Sequence, residues 1–179
     1  MHHLKLPQDR IGALIGAGGE TMRAIEDAGG VRLNIDSQTG AVEVDPVDDP
    51  VAGLTAMDVV KAIGRGFPPK DAMQLFADEL CTFELIDLTA HTRNSNDLQR
   101  QKGRVIGEGG RTRELVEELS GAVVGIRGST LGIIGGPEEV AIVRHAVGML
   151  LDGAPHGAVY GYLERRHAER AHGAGLCGL

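Results

Sequence analysis

The strongest constraint on this chain is a short glycine-rich segment that occurs twice in the same setting. The first copy reads Ile15-Gly16-Ala17-Gly18-Gly19-Glu20-Thr21 and the second Ile106-Gly107-Glu108-Gly109-Gly110-Arg111-Thr112, 91 residues apart in a chain of 179. A period of that length is too long for a stacked solenoid repeat and fits two copies of one small domain. An apolar stretch leads into each copy (Ile11, Leu14, Ile15; Val105, Ile106), and an amphipathic helical pattern leads out (Met22, Ile25; Leu115, Val116, Leu119). Glycine at such a junction permits positive φ and the close approach of another backbone. The helix that follows presents unpaired N–H groups and the positive end of its dipole to an anion.

The flanking residues narrow the choice of anion. A nucleoside-triphosphate loop needs Lys-Ser or Lys-Thr after its last glycine, whereas Glu20-Thr21 and Arg111-Thr112 follow here. The dinucleotide fingerprint needs a third glycine where Thr21 and Thr112 stand, so neither cofactor is supported and none is expected. A phosphodiester backbone remains. Ile-Gly-x-Gly-Gly between two helices resembles the signature of the KH domain, whose G-x-x-G loop clamps about four nucleotides of a single strand.

Periodicity around the loops gives the same order of elements twice. Leu4 to Leu6 reads as a strand, Gln8 to Ile15 and Gly19 to Asp27 as helices, and Val31 to Ile35 with Val42 and Val44 as a hairpin around Ser37-Gln38-Thr39-Gly40. A third helix from Pro50 carries Leu54, Met57, Val60 and Ile63. The second copy supplies a strand at Phe83, Leu85 and Leu88, helices over Leu98–Ile106 and Gly110–Ser120, a hairpin over Val123–Arg127 and Leu131–Ile134, and a helix from Pro137 to Leu151. Both copies read β-α-α-β-β-α. The expected fold class is therefore α+β, with two type I KH domains in tandem over residues 1–69 and 83–154. A linker helix within 70–82, over Asp71 to Leu80, shows an apolar face expected to pack the two domains together. Residues 155–179 read as a terminal helix, Val159 to Ala171, and a frayed tail from His172.

A net charge of −7 argues against a generic nucleic-acid binder, but its distribution does not. Residues 1–90 carry 7 basic and 15 acidic side chains, and residues 91–179 carry 11 and 10. From His91 to Arg113, Arg93, Arg100, Lys102, Arg104, Arg111 and Arg113 face only Asp97 and Glu108. Aligned on the loops, Lys102, Arg104, Arg111, Arg113 and Arg127 stand where the first copy has Ile11, Ala13, Glu20, Met22 and Asp36; Arg23, opposite Glu114, is the single exception. The second domain is thus expected to be the main RNA contact. The scarcity of lysine, 4 against 14 arginines, fits either a solvated acidic face with codon bias or adaptation to high salt.

Beyond the loops, Lys102 to Arg113, Glu117-Glu118-Leu119-Ser120-Gly121, Val124 to Gly128, Leu131 to Gly135 and Glu84 to Leu88 resemble the partner-of-Nob family of archaeal two-KH proteins. The similarity covers nearly the whole chain. It implies a non-enzymatic factor that binds the 3′ region of small-subunit (16S) ribosomal RNA, assists its maturation, and works with the Nob-family endonuclease that cuts there. It also suggests the α subunit of translation initiation factor two as a partner. The family's second loop usually has lysine where Glu108 stands, and its first a basic residue at Ala17.

The expected RNA-binding residues are Lys102, Arg104, Ile106, Gly107, Glu108, Gly109, Gly110, Arg111, Arg113, Ile126 and Arg127, with Ile15, Gly16, Ala17, Gly18 and Gly19 making a lesser contact. Ile106 and Ile126 are either core or groove floor. Catalysis is not expected, because Asp48-Asp49, Glu117-Glu118 and Glu138-Glu139 are sequence neighbours that do not face one another on a helix. His167, His172 and Cys177 lack the close ligand pairs of a metal site, so no metal is expected either. With no h-region at the start, two unpatterned cysteines and no membrane-length apolar run, a cytoplasmic setting is the default. The alternative is a KH protein of messenger RNA or of an initiation factor, with the acidic first domain as a protein-interaction module.

Overall fold

The computed structural model describes residues 1–176, which divide into two compact units at Phe83 and Glu84. The first unit runs β1 (His2–Lys5), α1 (Gln8–Ile15), α2 (Glu20–Gly29), β2 (Val31–Ile35), β3 (Ala41–Pro46) and α3 (Pro50–Gly64), followed by two short helices, α4 (Pro69–Ala72) and α5 (Gln74–Ala77). The second repeats the order as β4 (Thr82–Asp87), α6 (Ser95–Ile106), α7 (Arg111–Ser120), β5 (Val123–Arg127), β6 (Thr130–Gly135) and α8 (Pro137–Leu151), then adds α9 (His156–Leu176). The sheets are ordered β1-β3-β2 and β4-β6-β5, so each domain has the expected β-α-α-β-β-α topology.

Alternation in the sequence sets the sheet faces. Val31 and Leu33 of β2 are buried while Arg32 and Asn34 point outward, and the register Leu33 to Val44 places like faces together. Val124 pairs with Ile133 in the second hairpin. Helices α3 and α8 each begin with proline at the first helical turn and lay Val59, Val60 and Ile63, or Ile142, Val143, Val147 and Leu150, into the core. Each such fully buried aliphatic side chain contributes about 1.5–3 kcal/mol.

Two polar devices recur. The edge strands β2 and β5 each leave an amide toward a glutamate of the preceding helix: Leu33 N–H donates to Glu26 Oε1 at 2.8 Å, and Val124 N–H to Glu117 Oε1 at 2.9 Å. The C-terminal carbonyls of the third helix are held by an arginine. In the first domain Arg10 donates to Ile63 O (2.8 Å) and Phe67 O (3.1 Å). In the second, Arg104 donates to Leu150 O (3.3 Å) and Ala154 O (2.6 Å).

The structure corrects several boundaries. The segment expected as one helix over Asp71 to Leu80 is the pair α4 and α5, ended by Asp78 in an extended conformation. Its apolar side chains are taken up inside the first unit: Ala72 and Leu75 are buried and the Phe76 ring lies over Gly29. Strand β4 stops at Asp87, whose carboxylate accepts the Thr89 amide and opens a single 3-10 turn with Leu88 in the core. Helix α6 starts at Ser95 rather than Leu98 because Asn94 caps it, its side chain accepting the Asp97 amide at 2.9 Å. His172 to Leu176, expected to be frayed, continue α9, while residues 177–179 with Cys177 lie outside the described residues.

Glu26→Ala and Glu117→Ala are expected to free a half-buried edge amide and to cost about 1–3 kcal/mol each. Hydrogen exchange should quicken selectively at the Leu33 or Val124 amide, whereas Glu118→Ala, at an exposed neighbouring position, should leave both unchanged.

Candidate nucleic-acid interface

The two glycine loops have the same backbone path. Gly16 (φ 74°, ψ 175°) and Gly107 (φ 76°, ψ 170°) end α1 and α6, their amides donating to Gly12 O at 2.9 Å and Gly103 O at 2.8 Å. Gly18 and Gly19 lie at φ 58° and 80°, and Gly109 and Gly110 at φ 62° and 78°, all in the left-handed region. A Cβ at Gly16 or Gly107 would fall on the hydroxyl of Thr21 or Thr112, so these two positions exclude every side chain. At the apex Ala17, Gly18, Glu108 and Gly109 are exposed, and a Cβ at Gly18 or Gly109 would meet nothing within 4 Å. Helices α2 and α7 start directly at the apex with no side-chain cap; their leading amides, of Glu20 and Arg111, donate to Ala17 O and Glu108 O, and the positive end of each helix dipole faces the apex, where it favours an anion.

The surrounding cations divide into two groups. Arg104 is bound to the α8 and Ala154 carbonyls described above, and Arg113 donates to Glu117 Oε1 (3.3 Å) and Val124 O (3.2 Å). Arg100 pairs with Asp97 at 2.7 Å, and that bond, followed by the Arg93 amide, holds the Asp97 carboxyl below the usual carboxylate range. Arg104 and Arg113 thus tie their helices to distant backbone, whereas Arg100 forms an exposed pair along α6. Lys102 and Arg111 have no hydrogen-bond or ion-pair partner among the described residues. Arg111 is exposed at the first position of α7, where a cation opposes the helix dipole. An anion at that end would offset the conflict. Ile106 and Ile126 are both partly exposed, with Ile126 packed against the second core, which suits a groove floor. Arg127 closes β5 at the hairpin, where its carbonyl accepts the Thr130 hydroxyl at 3.1 Å.

One residue beside the first loop, Arg23, stands in the sequence as an exception to the charge asymmetry and not as an expected site residue. The exposed Arg23 places its guanidinium 3.4 Å from where a Gly19 Cβ would stand. It has no partner among the described residues. Glu20 and Arg23 in the first turn of α2 correspond to Arg111 and Glu114 in α7, so each loop has one acid and one base with the order exchanged. The exchange is visible on aligning the copies, yet only the backbone path brings Arg23 to the loop.

A family model described as eukaryotic type KH domain (KH-domain type I) matches residues 82–168, and a KH-domain model matches residues 1–62. A KH domain-containing protein of Methanocaldococcus jannaschii is 45% identical over 90% of this chain and 72% of its own length. The pre-rRNA-processing protein pno1 of Schizosaccharomyces pombe is 36% identical over 79% of this chain; the chain spans 59% of that protein's length. Among solved structures, the complex of a/eIF2alpha, aDim2p and rRNA from Pyrococcus horikoshii contains a chain of 43% identity that superposes with a TM-score of 0.86, covering 94% of both chains.

Arg104→Ala is expected to destabilise the second domain by about 1–3 kcal/mol while leaving the salt dependence of RNA binding unchanged. Arg111→Ala should do the reverse, keeping stability and flattening the slope of log affinity against log salt by about 0.7. Urea denaturation and binding across a salt series separate the two.

Proposed function

This chain belongs to the two-KH-domain family of the pre-rRNA-processing proteins PNO1 and Dim2p, and from that premise we propose that it is a non-enzymatic, single-stranded RNA-binding factor of small-subunit ribosome assembly, acting on the 3′ region of 16S ribosomal RNA. The observation that carries the proposal is the pair of superposable glycine loops, each exposed at its apex and each opening an uncapped helix. In this reading the backbone amides of Ala17 and Gly18, and of Glu108 and Gly109, hold phosphates, the Gly19 and Gly110 amides being donated to Gly16 O and Gly107 O, and Ile106 and Ile126 floor the groove for the bases. Lys102 and Arg111 steer the strand to the second loop, whose larger share of free cations makes the second domain the main contact. Arg23 supplies the corresponding charge at the first loop. The family suggests the Nob endonuclease as a functional partner, and a cytoplasmic setting follows from the role.

The α subunit of initiation factor two, present with the relative in the Pyrococcus complex, is a second partner. One observation favours a protein contact on the first domain. A cavity of about 460 Å³ there is lined by Leu75, Phe76 and Val51 and by Asp49, Asp58 and Glu79, with no basic side chain in its wall. Burial raises the Asp58 carboxyl above its ordinary value, against the opposing pull of Lys61.

Crosslinking in cells with sequencing of the bound RNA tests the proposal. Enrichment at the small-subunit 3′ end is expected; sites scattered over messenger RNA would replace the ribosomal reading. In vitro, Gly109→Asp should place a negative side chain at the open apex and weaken binding more than Gly18→Asp. Glu108→Lys should strengthen binding and steepen the salt slope by about 0.7. Equal losses from the two glycine variants would remove the division of labour between the domains.

A further inference from the structure

We infer that α9 is part of the RNA clamp and that Tyr160 is the residue that positions its second loop, an inference that rests on the RNA-binding reading of Gly107–Gly110. Helix α9 packs along α7 and α8 and is tied to both helices that flank the loop. On the α6 side, His156 Nε2 lies 3.0 Å from Arg104 O, and the Arg104 guanidinium holds Ala154 O just before α9 begins. On the α7 side, the Tyr160 hydroxyl lies 2.8 Å from Thr112 Oγ1. Thr112 is 1% exposed, and it is the residue against which the Gly107 Cα rests. Fixing the Thr112 hydroxyl therefore fixes the wall that gives the loop its shape.

The first domain has the same loop without the brace. Thr21 occupies the position of Thr112 beneath Gly16, yet it is partly exposed and its hydroxyl has no partner among the described residues. With identical backbone geometry in both copies, the difference lies in how much freedom each loop loses when a strand binds. A loop already ordered by α9 loses less, and affinity rises by that amount without a new RNA contact. Tyr160 acts through Thr112, so it is a positioning residue.

The test uses the full chain and a single-stranded RNA with the 3′-terminal sequence of 16S ribosomal RNA. Tyr160→Phe keeps the ring and removes the hydroxyl. It should lower affinity by about two- to tenfold, the value of one hydrogen bond. Exchange of the Gly110 amide, which donates to Gly107 O at 3.2 Å, should quicken, and that of the Gly19 amide, which donates to Gly16 O at 3.2 Å, should stay unchanged. Thr112→Val should reproduce the loss, and Thr112→Ser should retain wild-type binding. In a Gly109→Asp background Tyr160→Phe should add no further loss, because both act through one loop. A full additive loss in that background, or unchanged affinity with a lowered unfolding midpoint, would overturn the inference and leave Tyr160 a packing residue. If Gly109→Asp alone leaves binding intact, the RNA reading of the loop fails first, and the inference with it.

Discussion

Both domains depend on one steric fact at the start of their second helix. The Cα of Gly16 or Gly107 lies so close to the threonine five positions on that a Cβ would overlap its side chain and come within 2.8 or 2.7 Å of its backbone nitrogen. Glycine there lets the chain reverse within four residues, bringing the N-terminus of α2 beside the C-terminus of α1, and that of α7 beside that of α6. The apolar stripes of each pair, Ile11 and Leu14 with Ile25, or Val105 with Val116, then face one sheet. The same reversal pushes the next two residues into solvent with the helix amides behind them. Fold and proposed anion site thus share a single close contact.

The duplicated fold keeps its requirements and changes the residues that meet them. The third helix of a KH domain ends in carbonyls that need donors. Arg10 reaches them from the first turn of α1, whereas Arg104 reaches the equivalent carbonyls from the last turn of α6. Gln101, at the position of Arg10, donates only to Leu151 O at 3.4 Å, and Arg104 supplies the remaining donors from one turn further on. Alignment alone therefore reads Arg104 as an extra charge of the second domain. Two members of the basic run, Arg104 and Arg113, are bound to backbone carbonyls, and the electrostatic difference between the loops is narrower than residue counts suggest.

The repeat, the order of elements and the glycine loops were legible because glycine, proline and a period of 2 or 3.6 are local signals. Leu33 and Val44, or Ile142 and Val147, announce their burial by spacing alone. Side chains whose role depends on a distant partner were not legible. Arg104 and Arg113 look like free charges until the carbonyls of Ala154 and Val124 are placed beside them. Arg23 looks like an isolated exception to the charge pattern until its guanidinium is placed beside Gly19. The start of α6 was misplaced for a smaller reason: Asn94 followed by Ser95, Asn96 and Asp97 has the composition of a loop, and only its capping bond identifies a helix terminus.

An acidic chain that clamps a polyanion must concentrate attraction where the strand runs. In the proposed clamp the concentration would come largely from main-chain amides, which carry no formal charge and are insensitive to the excess of carboxylates elsewhere. Each loop adds few free cations: Arg23 at the first, Lys102 and Arg111 at the second, with Glu108 opposing them at the apex. Cation contacts release condensed counterions and weaken steeply with salt. Amide contacts neutralise no phosphate and release few. A clamp built this way gives up some affinity at low ionic strength and retains a larger fraction of it as salt rises, so the acidic surface and the RNA site do not conflict.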